Sequence, residues 1–112
     1  MELQEVTRQF SFNMKSYELD YKVPNGKLIR LKANLDCDRI CSVTINGDFF
    51  LHPEDRILTL ERSLVGKTLE KVTLQKTAET ALKGCQMAGV SPKDFVDALL
   101  RLKETYLRLK EA

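Results

Sequence analysis

The chain has 112 residues, 43% hydrophobic and 30% charged, with 18 Lys and Arg against 16 Asp and Glu for a net charge of +2. That length suits one domain with one core and that composition is globular, while the near-balance of charge excludes the basic footprint of a nucleic-acid binder and no apolar run approaches the roughly 20 residues of a membrane span. The polar, acidic start Met1-Glu2-Leu3-Gln4-Glu5 reads against a signal peptide, and three cysteines, Cys37, Cys41 and Cys85, make no disulfide framework, so a reducing, cytoplasmic setting is expected.

In chain order, Val6, Phe10, Phe12 and Met14 fall on alternate positions broken by Arg8, so residues 1–14 form a candidate extra strand or arm. Tyr17, Leu19, Tyr21 and Val23 alternate with Glu18, Asp20 and Lys22, which predicts a half-buried strand over 16–23. Pro24-Asn25-Gly26 is a turn signal. Ile29, Leu31, Ala33 and Leu35 then alternate with polar residues over 28–35. Asp36-Cys37-Asp38-Arg39 reads as a short hairpin loop, and Cys41, Val43 and Ile45 mark a return strand over 40–46. Three strands joined by short turns predict an antiparallel meander with one apolar face.

Beyond residue 52 the period becomes helical. Pro53-Glu54-Asp55 suits a helix start over 53–65, with Ile57, Leu60, Leu64 and Val65 on its apolar side and Gly66 as its stop. A weaker helical stretch runs through Leu69, Val72, Leu74, Ala78, Ala81, Leu82 and Cys85, diluted by Thr73, Thr77 and Thr80. The last helix, 92–109, carries the clearest signals. Ser91 is its cap, Pro92 its first residue, and Asp94 lies three after the cap. Val90 and Phe95 are placed as a hydrophobic staple. Phe95, Leu99, Leu102, Tyr106 and Leu109 form one stripe. Strands first and helices second predict an α+β domain, a three- to four-stranded antiparallel meander with C-terminal helices on one face.

No self-sufficient catalytic set is recognisable. His52, the single histidine, precedes Pro53 at a strand-to-helix junction and reads as a cap or surface group. Cys37, Cys41, Cys85 and His52 lack the paired spacing of a zinc or iron–sulfur knuckle. Cys41 falls in the inward series and Cys85 near its helix's apolar series, while Cys37 sits exposed in the turn. No metal site is therefore expected. Gly26-Lys27 lacks the residues of a phosphate loop, and Lys15, Lys22, Lys27, Arg30 and Lys32 are diluted by Glu18 and Asp20, as on a solvated sheet face. The segment Gly47-Asp48-Phe49-Phe50 is the most informative. Gly47 supplies freedom to bend, including positive φ, and Asp48 can accept from loose backbone N–H groups. Adjacent phenylalanines in extended chain face opposite sides, so one ring is expected beneath the first helix and the other partly exposed, as an interface anchor would be; the alternative is that the turn from sheet to helix buries both.

The string Ile45-Asn46-Gly47-Asp48-Phe49-Phe50-Leu51-His52-Pro53-Glu54 resembles the accessory domain at the C-terminus of lipoate–protein ligases, which in some archaea is a separate small subunit. Upstream, Tyr21 to Arg30 is similar to that family's valine-proline-glycine turn, Gly-Lys pair and strand, with Asn25 where the family usually has glycine and Asn46 where it has threonine. Downstream, Leu60-Glu61, Leu64-Val65-Gly66 and Gly89-Val90-Ser91 fit the family's helix and late-turn positions. The resemblance spans Tyr17 to Leu100, inside an accessory-like domain over 15–112. It implies an accessory subunit that binds no cofactor alone. Its partner would be a catalytic subunit, in a heterodimer that uses ATP, lipoate and magnesium to form lipoyl-adenylate and then lipoylates an acceptor protein. No catalytic residue of the family carries over. Gly47, Asp48, Phe49, Phe50, His52 and Lys27 are the candidate partner-interface residues. Two other readings stay open: a cysteine-based iron–sulfur or sulfur-transfer scaffold, and a general protein-interaction module.

Overall fold

A computed structural model describes residues 14–111. The period-two pattern builds β1 (Met14–Lys22), β2 (Leu28–Asp36) and β3 (Arg39–Gly47). They pair antiparallel in the order β1-β2-β3, as the alternation predicts. The candidate strand ahead of Met14 lies outside the described residues. Tyr17, Ile29, Leu31, Ala33, Leu35, Val43 and Ile45 point into the core. The opposite face is a polar lattice. Asp20 faces Arg30 at 3.0 Å and Glu18 faces Lys32 at 3.9 Å. Ser16 donates to Asn34, which donates in turn to Ser42. Arg30 and Lys32 are thus matched by acids of the neighbouring strand, which is the solvated-face reading of that basic cluster.

One expectation fails inside β3. Leu35 lies opposite Ile40 and Asn34 opposite Ser42, so Cys41 has no partner across the ladder. This β-bulge reverses the in–out alternation at one point. Ile40 is therefore the core residue, 1% exposed, and Cys41 is only half-buried. The thiol's pKa is nonetheless pushed up, by its partial burial first and by Asp36 second.

Three helices follow, two of them packed on the apolar face and the third packed against those two. α1 (Arg56–Leu64) starts three residues later than the sequence suggests. Pro53–Asp55 instead make a turn, in which Arg56 N–H donates to the Pro53 carbonyl at 3.1 Å. Leu60 and Leu64 are buried, but Val65 has left the helix in extended conformation and faces solvent. The connection after α1 seals the outer edge of β3: Ile40 N–H donates to the Lys67 carbonyl and Leu69 N–H to that of Asp38. Glu61 of α1 accepts from Ile45 N–H at 2.7 Å further along the same edge. An edge strand covered in this way is not a template for aggregation.

α2 (Lys71–Ala81) occupies the weak helical stretch and buries Leu74, Thr77, Ala78 and Ala81. Thr77 tolerates the helix because its hydroxyl donates back to the Thr73 carbonyl at 2.8 Å. Cys85 lies beyond the helix end, half-buried, not in its apolar series. α3 (Pro92–Glu111) begins as predicted: the Asp94 carboxylate accepts from the backbone N–H and the hydroxyl of Ser91. Phe95, Leu99 and Leu102 are fully enclosed against the sheet. Further along, Arg101 stacks 5.5 Å from the Tyr21 ring centre, and Tyr106 meets the Tyr17 ring edge-on.

Two three-residue strands, β4 (Phe50–His52) and β5 (Gln86–Ala88), pair antiparallel as a second small sheet. The fold is α+β, with both sheets antiparallel. Among the described residues no helix is long and apolar enough to cross a membrane.

Candidate functional site

The sequence-predicted residues meet at one end of the main sheet, where three turns converge. The first joins β1 to β2. Asn25 there takes a positive φ of 59°, a conformation that Asn tolerates better than most residues. Lys22 Nζ donates to the carbonyls of Val23 and Gly26, at 3.0 and 2.6 Å, and holds the turn closed. The second is the Gly89 turn between β5 and α3. The Gly26 Cα sits so close to it that a side chain there would lie 2.5 Å from the Gly89 carbonyl oxygen. Lys27 N–H donates to that same oxygen at 3.0 Å.

The third turn is the β3–β4 crossing, Gly47 to Phe49. Gly47 is needed for space and not for a left-handed backbone: it is absent from the positive-φ glycines, but a Cβ on it would collide with the Leu28 carbonyl and the Phe49 ring. Asp48 accepts from Leu28 N–H at 2.8 Å, tying the crossing to the start of β2. That bond lowers the carboxyl's pKa, and the charges of Lys27 and Lys22 lower it further.

The two phenylalanines separate as their adjacency predicts. Phe49, half-buried, packs edge-on against Phe95 with centroids 5.3 Å apart, so the more enclosed ring lies against α3 rather than beneath α1. The reason is the β4–β5 pairing, which carries the crossing toward the N-terminal turn of α3. Phe50 is 55% exposed. Together with Leu51, His52, Glu54, Asp55 and Ile57 it lines an open groove of about 780 Å³ between β4 and the start of α1. His52 is exposed at the groove wall and joined to Pro53 by a cis peptide bond. Of the candidates, Gly47, Phe49, Phe50 and His52 border this groove. Asp48 and Lys27 stand beside it, at the adjoining turns.

The sequence places Glu54 and Asp55 at a helix start, with Glu54 also closing the family-like string, yet both border the groove. It gives no role to Arg56. That guanidinium donates to the carbonyls of Ala81 and Lys83, at 3.3 and 3.0 Å, and so fixes the α2–β5 connection against the groove wall. Such a contact between segments far apart in sequence leaves no local signal. The cysteines are dispersed: Cys37 is exposed at the hairpin tip with φ of 56°, Cys41 is in the bulge, and Cys85 precedes β5. Among the described residues no group of three or more His, Cys, Asp and Glu is placed to hold a metal ion.

Comparison with known proteins matches this architecture. The family described as bacterial lipoate protein ligase C-terminus fits residues 12–99. Lipoate-protein ligase A subunit 2 of Thermoplasma acidophilum is 40% identical over 83 residues, 74% of this chain and 86% of that protein. A chain in the solved structure of a bipartite lipoate protein ligase and its E2 lipoyl domain, from the same organism, superimposes with a TM-score of 0.67 at 37% identity. That superposition covers 77% of this chain and 96% of that one. The matched span holds the sheet, the converging turns, the groove and the start of α3, and on these grounds the chain belongs to the bacterial lipoate protein ligase C-terminus family.

Proposed function

We propose that this chain is the non-catalytic subunit of a bipartite, ATP-dependent lipoate–protein ligase, required with a separate catalytic subunit for forming lipoyl-adenylate. The observation that carries this reading is the likeness to a ligase subunit 2 over 86% of that protein's length. The complex, a heterodimer in the cytoplasm, uses ATP, lipoate and magnesium, and passes the lipoyl group to a lysine of an acceptor protein. This chain alone binds none of the three. Its contribution is to order loops around the nucleotide and exclude water from a reactive mixed anhydride. The surface that meets the catalytic subunit is the Gly47–His52 segment, with Lys27 as a second contact. A ring as exposed as Phe50 beside a fixed, glycine-spaced crossing is the form an interface anchor takes.

The test is pyrophosphate release from ATP and lipoate by the chain, by the catalytic subunit, and by their mixture. Only the mixture should turn over at full rate. Activity of this chain alone, or a mixture no faster than the catalytic subunit, overturns the proposal. Replacing each phenylalanine separates anchor from core. Phe49→Ala should cost about 3 kcal/mol of stability, because it vacates a packed aromatic contact. Phe50→Ala should fold normally and weaken subunit binding by about 2 kcal/mol. If Phe50→Ala leaves binding unchanged, the interface lies elsewhere.

A further inference from the structure

We propose that the groove between β4 and α1 receives a segment of the catalytic subunit in which a lysine or arginine stands beside an apolar side chain. The inference rests on the subunit reading above and adds the chemistry of what is bound. The groove has an apolar interior, with Leu51 buried, Ile57 half-buried and the exposed Phe50 ring as one wall. Its rim is acidic. Glu54 and Asp55 border it, and no lysine or arginine does, in a chain whose net charge is +2.

The ordinary structural uses of those two acids are not in force here. Asp55 occupies the N-cap position of α1 but its side chain makes no cap hydrogen bond. Among the described residues the ion pairs engage Asp20, Glu18, Asp97 and Glu104, and neither Glu54 nor Asp55. The adjacent cation that would neutralise them, Arg56, is turned away and held by the Ala81 and Lys83 carbonyls. The groove therefore keeps an uncompensated negative edge around an apolar floor.

Charge decides among possible occupants. Lipoate, ATP and lipoyl-adenylate are all anions, and two carboxylates at the rim would repel them. A second copy of this chain offers exposed cations such as Lys67 and Lys71, so self-association of the parent that is lost in Glu54→Lys/Asp55→Lys would give the groove to a second copy and overturn the proposal. A partner segment with one cation beside one apolar residue satisfies both halves of the site. It would set its apolar group against Phe50 and Ile57 and its cation against Glu54 and Asp55.

The two halves predict different kinetics. Rim charges govern encounter, and a packed aromatic governs escape. Binding of the full chain to the catalytic subunit is measured by surface plasmon resonance at low and physiological salt. The double variant Glu54→Lys/Asp55→Lys should associate about tenfold more slowly at low salt and lose the decline of association rate with salt that the parent shows. Glu54→Gln/Asp55→Asn should fall between. Phe50→Ala should raise the dissociation rate and keep the salt dependence. Melting temperatures verify that each variant is folded.

Unchanged association and salt dependence in the folded charge-reversed variant overturns the proposal while leaving the subunit reading intact. So does normal subunit binding with a selective loss of acceptor lipoylation, which would assign the groove to the acceptor. Saturable binding of ATP or lipoate by this chain alone, abolished by Phe50→Ala, overturns it in favour of a ligand site. If the parent chain binds no catalytic subunit at all, both readings fall together.

Discussion

Asp48 joins the β3–β4 crossing to β2 through one hydrogen bond from Leu28 N–H, and the strength of that bond depends on its charge. The bond favours the ionised form, with Lys27 and Lys22 adding to it, so the folded pKa lies below the ordinary carboxylate value. A group depressed in this way stabilises the fold fully above its unfolded pKa, and the contribution is lost as pH falls through the folded value. Asp48→Asn should therefore be less stable than the parent near neutral pH, and the gap should close in acid. Urea denaturation of both proteins in steps from about pH 6 to about pH 2 measures it. A gap that stays constant with pH would show that Asp48 acts through shape alone. At this scale the sequence is informative about type and less so about destination. Adjacent phenylalanines imply opposite faces. That Phe49 would meet Phe95 needed the path of the chain through β4 and β5, which no neighbour of Phe49 encodes. Gly47 is similar: its smallness was readable, whereas the reason, a carbonyl from β2 pressed against it, belongs to a strand almost twenty residues away.

The strands and the last helix were legible because each carries a pattern long enough to repeat. β1 alternates over Tyr17–Lys22 and β2 over Ile29–Asp36, and α3 states its start three times, in Ser91, Pro92 and Asp94. β4 and β5 were not legible, since three residues contain no measurable period. β3 misled for another reason. Alternation assumes an unbroken ladder, and the bulge at Cys41 shifts the phase between Ile40 and Val43. The residues on either side are nonetheless in the right order for a regular strand once Cys41 is skipped: Ile40, Ser42, Val43, Thr44 and Ile45 would alternate in and out. Deleting Cys41 should thus preserve the pairing of Leu35 with Ile40 and of Asn34 with Ser42, and cost less than about 2 kcal/mol. Cross-strand NMR contacts between those pairs check the register, and thermal melting checks the cost. Loss of either pair on deletion would mean that the bulge itself is required, through the edge contacts of Ile40 with the Lys67 connection.

For the molecule as a whole, the layer order was legible: strands precede helices, so helices must cover the sheet. The site is a less local product. Its three turns come from the beginning, middle and end of the described chain, and the sequence marks each as a turn without saying that they touch. The Lys27 N–H to Gly89 carbonyl bond is where the first and last of them meet. That bond closes one of the longest loops in the protein, and loop closure must be completed before such a contact repays its entropy. The β1–β2 hairpin can form early from local contacts, but the surface at its turn is not finished until α3 has docked. The Lys27 amide proton is consequently a clock for the whole domain. In native-state hydrogen exchange it should open with the slowest, global class of amides and not with the fraying class typical of hairpin turns. In refolding it should gain protection after the β1–β2 ladder. A nascent chain released before residue 89 would lack that bond, so the proposed partner surface would be complete only once residue 89 has been made.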